Sequence, residues 1–186
     1  MENQRIRLTK RLLKDALLEL LREKPLRDLA VSELCARAGI NRTTFYHHYG
    51  SPADVLEDVE REHVGAIRGQ LSGYPADIES LAARVEVICT YLRAHGEETK
   101  LLFDSAADVS HFALALFSAT GEADMRDSLL VGYDDDTKRL LSTYLTHGIY
   151  SLVRQWLLED VPKTPAEIGR LAYATAMHGW SRSGKG

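Results

Sequence analysis

Apolar residues return every three or four positions along most of the chain, and nowhere do they alternate with polar ones over the length of a strand. The pattern predicts helices throughout. Leu13, Ala16, Leu17, Leu20 and Leu21 form the first stripe, beginning after Thr9 and ended by Pro25. Val31, Leu34, Cys35 and Ala38 form a short second helix, closed by Gly39, the residue best able to take the left-handed backbone past a helix end. Asn41 opens a third helix as its N-cap, with Phe45 and Tyr49 spaced to face inward. A fourth begins at Ser51 as cap, Pro52 at the first helical position and Asp54 as capping-box carboxylate, and runs to Leu71.

Ser72 to Pro75 interrupts the pattern, which resumes through Ile78, Leu81, Val85, Ile88, Cys89 and Leu92 and stops at His95-Gly96. Shorter helices are predicted over Lys100 to Ala107, Ser110 to Ala119 and Ala123 to Leu130. Asp134, Asp135 and Asp136 then place negative charge where a helix dipole favours it, at the start of a long helix. That helix carries Leu140, Leu141, Leu145, Ile149, Leu152, Val153, Trp156 and Leu157, and Pro162 stops it. Thr164-Pro165-Ala166-Glu167 is a second capping box, before a last helix through Leu171, Ala174 and His178 and an SRSGKG end expected to fray. The predicted fold is all-α, with a three-helix head over residues 1–50 and a helical body over residues 51–186.

Composition narrows the setting. Apolar residues make up 45% of the 186, yet no apolar run approaches the roughly 18 residues that cross a bilayer. MENQRIRLTK lacks the apolar core of a signal peptide, and Cys35 and Cys89 have no metal-type spacing, so a soluble protein of the reducing cytoplasm is expected. Charge is divided unevenly. Residues 1–50 hold ten Lys/Arg against six Asp/Glu, or +4, while residues 51–186 hold thirteen against twenty-one, or −8. Such a division suits a chain that sets one end on a polyanion and keeps the other off it.

The segment LAVSELCARAGINRTTFYHHYG, residues 29–50, gives that end a shape: a helix, a three-residue turn at Gly39-Ile40-Asn41, then a second short helix. This is helix-turn-helix spacing. Leu34, Ala38, Ile40 and Phe45 would lock the two helices together and leave Arg42, Thr43, Thr44, Tyr46, His47 and His48 outside. Arginine bonds guanine in a bidentate fork, a threonine methyl touches thymine, and Tyr or His donates to phosphate. A solvated face on an ordinary helical hairpin would use the same spacing.

The residues Ala36-Arg37-Ala38-Gly39-Ile40-Asn41, then Thr44-Phe45-Tyr46-His47-His48-Tyr49, then Leu56, resemble the DNA-binding head of the TetR family of transcriptional regulators. With the first helix the likeness spans residues 8 to 60. It implies a transcriptional regulator bound to double-stranded DNA as a homodimer. In the family's arrangement Tyr46 and His48 stand where phosphates are contacted, Arg42, Thr43 and His47 meet base edges or nearby backbone, and Thr44 does either. The start of the fourth helix, Ser51 to Ala53, would approach a phosphate. Two positions depart. Ala30 replaces a frequent capping Thr that also touches DNA, leaving Ser32 to take that phosphate, and Pro52 replaces a frequent phosphate-binding Lys.

In the body, Leu141, Leu145, Gly148, Leu152 and Gln155 or Trp156 form a stripe near a 3.5-residue period, and Gly148 permits close helix approach. Since the family pairs its last two helices across a four-helix seam, this stripe and Leu171, Ala174 and His178 are the expected dimer interface, with intramolecular core as the alternative. The family's effector cavity among the middle helices makes Tyr91, Phe103, His111, Phe112, Phe117, His147 and Tyr150 candidate lining, although core packing is the favoured explanation of each. The resemblance implies a repressor released from a near-palindromic operator by a small-molecule effector. The run from Tyr144 to Trp156, ahead of the Thr-Pro-x-Glu cap, is also similar to the branch that regulates dihydroxyacetone kinase operons, whose members include activators responding to a protein partner.

Other classes fit less well. The seven histidines are scattered apart from His47-His48, which point in different directions on a helix, and no HExxH, phosphate loop or GxSxG occurs. No catalytic residue, metal or cofactor is expected. A helical adaptor that bound only proteins would leave Arg42, Thr43 and Tyr46 without a task.

Overall fold

Every regular element in the computed structural model is helical among the residues it describes, which are 4–77, 79–105, 112, 116 and 130–180. Ile78, the SRSGKG end and most of the helices expected over Ser110 to Ala119 and Ala123 to Leu130 lie outside that set. No helix among the described residues is long and apolar enough to cross a membrane.

The first four helices show how far local sequence dictates local structure. Helix α1 spans Gln4–Leu21 and therefore starts earlier than its apolar stripe. Thr9 lies inside it, its hydroxyl donating to the Arg5 carbonyl at 3.0 Å. Good helix formers such as Gln4, Arg5 and Arg7 extend a helix without leaving an apolar signature. After a short 3-10 turn at Leu26–Asp28 comes α2, Val31–Ala38. Gly39 closes it at φ 66°, and the Ile40 N–H reaches the Cys35 carbonyl at 2.9 Å, which satisfies an orphan carbonyl. Helix α3, Arg42–Tyr46, is capped by Asn41, whose side chain accepts from the Thr44 N–H at 2.7 Å. Helix α4, Pro52–Leu71, starts where Ser51 accepts from the Asp54 N–H. The Asp54 carboxylate reaches back past Ser51 to the Gly50 N–H, at 2.8 Å.

Two compact units divide the chain, Met1–His63 with Leu101–Ala107, and Val64–Lys100 with Asp108–Gly186. In the first, Leu13, Leu17, Leu34, Phe45 and Val55 are fully buried. An ionic cluster lies beside that core. The buried Asp58 accepts from the Tyr49 hydroxyl at 2.6 Å and from Arg61 at 2.9 Å, and the buried Lys14 ammonium is 3.1 Å away. It joins α1, the end of the recognition segment and α4.

The second unit holds α5 (Leu81–Ala94), the first half of α6 (Gly96–Ser105), α7 (Asp135–Leu158) and α8 (Pro165–Trp180). Helix α6 begins directly after His95, four residues before the expected Lys100. The buried Thr99 hydroxyl helps by bonding back to the Leu92 carbonyl at 2.8 Å. Buried Arg84 holds the preceding turn through the Tyr74 and Pro75 carbonyls. Helices α5 and α8 approach so closely that a Cβ on Gly169 would stand 2.2 Å from the Ala82 carbonyl oxygen.

The capping box expected at Thr164 is formed, at Ser51 the Asp54 carboxylate takes the Gly50 N–H in place of the Ser51 one, and the acidic start expected for α7 supplies its cap. Asp134 accepts from the Thr137 N–H, and Thr164 and Glu167 bond each other's backbone N–H groups. Pro162, however, does not end α7. The helix closes at Leu158, with Asp160 in the left-handed region at φ 48° and the Val161 N–H bonded to the Trp156 carbonyl. Lys100 holds the Asp160 carboxylate with both oxygens within 2.7 Å, which secures an uncommon conformation for a residue with a side chain. Trp156 donates to the Lys163 carbonyl at 2.9 Å, and the Arg93 guanidinium lies 4.2 Å above its ring.

Candidate nucleic-acid interface

A five-residue helix has too few hydrogen bonds to hold itself, so α3 depends on what anchors it. Phe45 is fully buried and Tyr49 nearly so, and Asn41 fixes the first turn. With those positions committed inward, Arg42, Thr43, Tyr46 and His47 are exposed, and Thr44 and His48 are half-buried. Tyr46 is 60% exposed, and its ring meets Phe45 edge-on at 5.4 Å, which orients the phenol without hiding it. Ser32 is exposed on α2. One surface thus offers a guanidinium fork, threonine methyls and hydroxyls, a phenol and imidazoles, the groups that read base edges and phosphates. Beneath it, burial pushes the Cys35 thiol up, against the pull of the Arg42 charge, so the thiol stays neutral.

The support behind α3 is ionic as well as apolar. Burial disfavours a charged Asp58, but the Tyr49 hydrogen bond, the Lys14 hydrogen bond and the Lys14 and Lys10 charges outweigh it and hold the carboxyl below its usual range. Sequence reading missed this cluster. Its signal was a lysine beside Leu13 and Leu17 on an apolar stripe, and an aspartate between Val55 and Val59 on another. Nearby, Arg37 pairs with Glu19 and Glu23, and Lys24 with Glu33, so these cations serve the head's own packing.

Both departures noted in the sequence have structural consequences. Ala30 offers no side-chain oxygen to α2, although Glu33 accepts from its N–H at 3.1 Å, which is half a capping box. At α4, Asp54 engages the Gly50 N–H and the Ser51 hydroxyl, and Pro52 has no N–H. A phosphate approaching Ser51 to Ala53 meets a turn already bonded to a carboxylate. The Ser51 hydroxyl and the Gly50 N–H also keep the Asp54 carboxyl below its usual range and hence charged.

The candidate effector residues do not share one environment. Tyr91, Phe103, Phe112 and Tyr150 are buried, whereas His147 is exposed on α7 with Nδ1 2.8 Å from the Thr143 carbonyl oxygen. His111 and Phe117 lie outside the described residues. Of the candidate seam, Leu141, Leu145 and Leu152 are half-buried and Gly148 is exposed on α7, while Leu171 is exposed and Ala174 half-buried on α8, which also carries His178. Trp156 departs from that stripe: at 2% exposure it belongs to the interior of its own unit. Among the described residues no three His, Cys, Asp or Glu side chains gather as metal ligands would.

Residues 13–59 match the family described as bacterial regulatory proteins, tetR family. Among solved structures, a TetR transcriptional regulator from Streptococcus agalactiae 2603V is 19% identical, with a TM-score of 0.72 over 93% of this chain and 96% of its own. The dihydroxyacetone kinase operon activator DhaS is 13% identical, at 0.60 over 94% and 97%. The fatty acid degradation regulator FadR from Bacillus halodurans is 12% identical, at 0.60 over 97% and 98%. No curated protein sequence matches the chain. The matched residues take in the anchored α2–α3 unit described above, so the head of the chain is similar to that of the tetR family of bacterial regulatory proteins, and the chain shares the fold of the solved TetR regulators.

Proposed function

We propose that the chain is a repressor that binds a near-palindromic operator as a homodimer and is released by a small-molecule effector. Residues 1–50 read DNA in this scheme, and residues 51–186 pair the protomers and bind the effector. The carrying observation is the α3 face, where Arg42, Thr43, Tyr46 and His47 are exposed over a buried Phe45. Pairing is supported by the apolar surface on the last two helices. Leu140 and Tyr144 are each 68% exposed, and Tyr144, Leu145, Gly148, Ile149, Ala172 and Ala176 line an open groove of about 190 Å³. Exposed apolar surface of this kind marks an association site. Nothing stands within 4 Å of a Cβ at Gly148, so a partner helix has room to approach there. Two heads held a fixed distance apart read two half-sites, and an effector that favours a different separation releases them.

Two substitutions on α3 test the assignment. Arg42→Ala is expected to cost about 1–3 kcal/mol on the selected operator and to relax preference at particular base pairs. Tyr46→Phe is expected to weaken specific and random duplexes by one similar factor, as loss of a phosphate contact does. Equal losses on both duplexes for both variants would refute the division of roles. Activation through a protein partner is the second reading, supported by the likeness to an operon activator of the same fold.

A further inference from the structure

The cations of the head are not equally available. Lys14, Lys24 and Arg37 are paired with carboxylates inside the head, and Lys10 lies 4.0 Å from Asp58. Arg7 and Arg11 are exposed, one turn apart on α1, and form no ion pair among the described residues. With Gln4 and Leu8 they line one surface recess of about 360 Å³.

The contacts of Lys10 and Lys14 locate that stretch of α1. Lys10 and Lys14 both reach Asp58, and Lys14 also reaches Glu62, so this stretch of α1 meets α4 around Asp58. Lys10 also stands 5.9 Å from the centre of the Tyr49 ring, at the end of the recognition segment. Arg7 lies one turn before Lys10 on α1, and the Gly50 to Asp54 turn directly follows Tyr49 in the chain. That turn's own donors are largely taken, since Asp54 holds the Gly50 N–H and the Ser51 hydroxyl, and Pro52 has none.

We propose that Arg7 and Arg11 form a second DNA contact on the phosphates that flank the recognition helix, supplying there the positive charge that the start of α4 does not. The contact rests on the DNA-binding reading above and adds to it the source of non-specific affinity. Phosphate contacts position a protein without reading sequence, and each phosphate neutralised adds about 0.9 to the slope of log K against log salt.

The test measures the full-length protein on a mixed-sequence duplex across a salt series. Arg7→Gln with Arg11→Gln is expected to flatten the slope by about 1.8 per bound protomer, and Arg7→Lys with Arg11→Lys to keep it. The control, Arg22→Gln with Arg27→Gln, changes two exposed cations that likewise form no ion pair among the described residues, Arg22 directly past the far end of α1, roughly 20 Å along its axis from Arg7, and Arg27 in the 3-10 turn that follows. It is expected to leave the slope unchanged. A wild-type slope in the glutamine pair, or an equal loss in the control, would overturn the proposal and leave DNA binding by α3 standing. Failure of the wild-type chain to bind any duplex would overturn both.

Discussion

Gly169→Ala is expected to lower the stability of the unit containing α5 and α8 by roughly 3 kcal/mol, at the upper end of overpacking costs. The added carbon would stand 2.2 Å from the Ala82 carbonyl oxygen, 3.1 Å from its carbonyl carbon and 3.3 Å from the Glu86 nitrogen. All three are backbone atoms, so no side chain can swing away and the helices must separate. Urea unfolding followed by circular dichroism measures the effect. Gly148→Ala is the comparison, because nothing lies within 4 Å of its added carbon. In the isolated protomer it is expected to gain up to about 1 kcal/mol from helix propensity alone. Unchanged stability in Gly169→Ala would mean that the α5–α8 approach is looser than described.

Asp58→Ala is expected to cost about 3 kcal/mol, because it leaves the buried Lys14 ammonium without its nearest buried carboxylate. The estimate is at the low end for a broken buried pair, since Glu62 also reaches Lys14 and the Asp58 side chain keeps 12% exposure. The substitution also frees the Tyr49 hydroxyl, so DNA binding should fall together with stability. The pH dependence has a definite sign. Asp58 has a folded pKa below its unfolded value, so its contribution is fully present above the unfolded pKa, near 4, and is lost as pH falls through the folded one. Wild type should therefore lose stability on acidification below about pH 4 by an increment that Asp58→Asn lacks. Parallel acid-unfolding curves for the two proteins would remove the ionic cluster from the account.

The parts of the fold legible in the sequence are those set by local chemistry. Asn41, Ser51, Asp134 and Thr164 each cap a helix where the spacing of polar and apolar residues predicts it, and Gly39 takes the positive φ its position requires. The inward Phe45 and outward Tyr46 follow from helical period in the same way. What the sequence concealed depends on partners distant along the chain. Lys14 pairs with residues 44 and 48 positions away, Asp160 holds a left-handed conformation with help from Lys100, and Gly169 is required by Ala82. Trp156 fits a dimer stripe by period, yet the Lys163 carbonyl and Arg93 hold it inside its own unit. The early start of α1 was hidden because its first turns bury little, and the same exposed turns carry Arg7 and Arg11.

The most direct test of sequence-specific DNA binding is selection of genomic fragments by the purified full-length protein, repeated at two salt concentrations. The predicted result is one near-palindromic motif enriched at both, with weaker recovery of all fragments at the higher salt. Recovery of no duplex at either concentration would contradict the account.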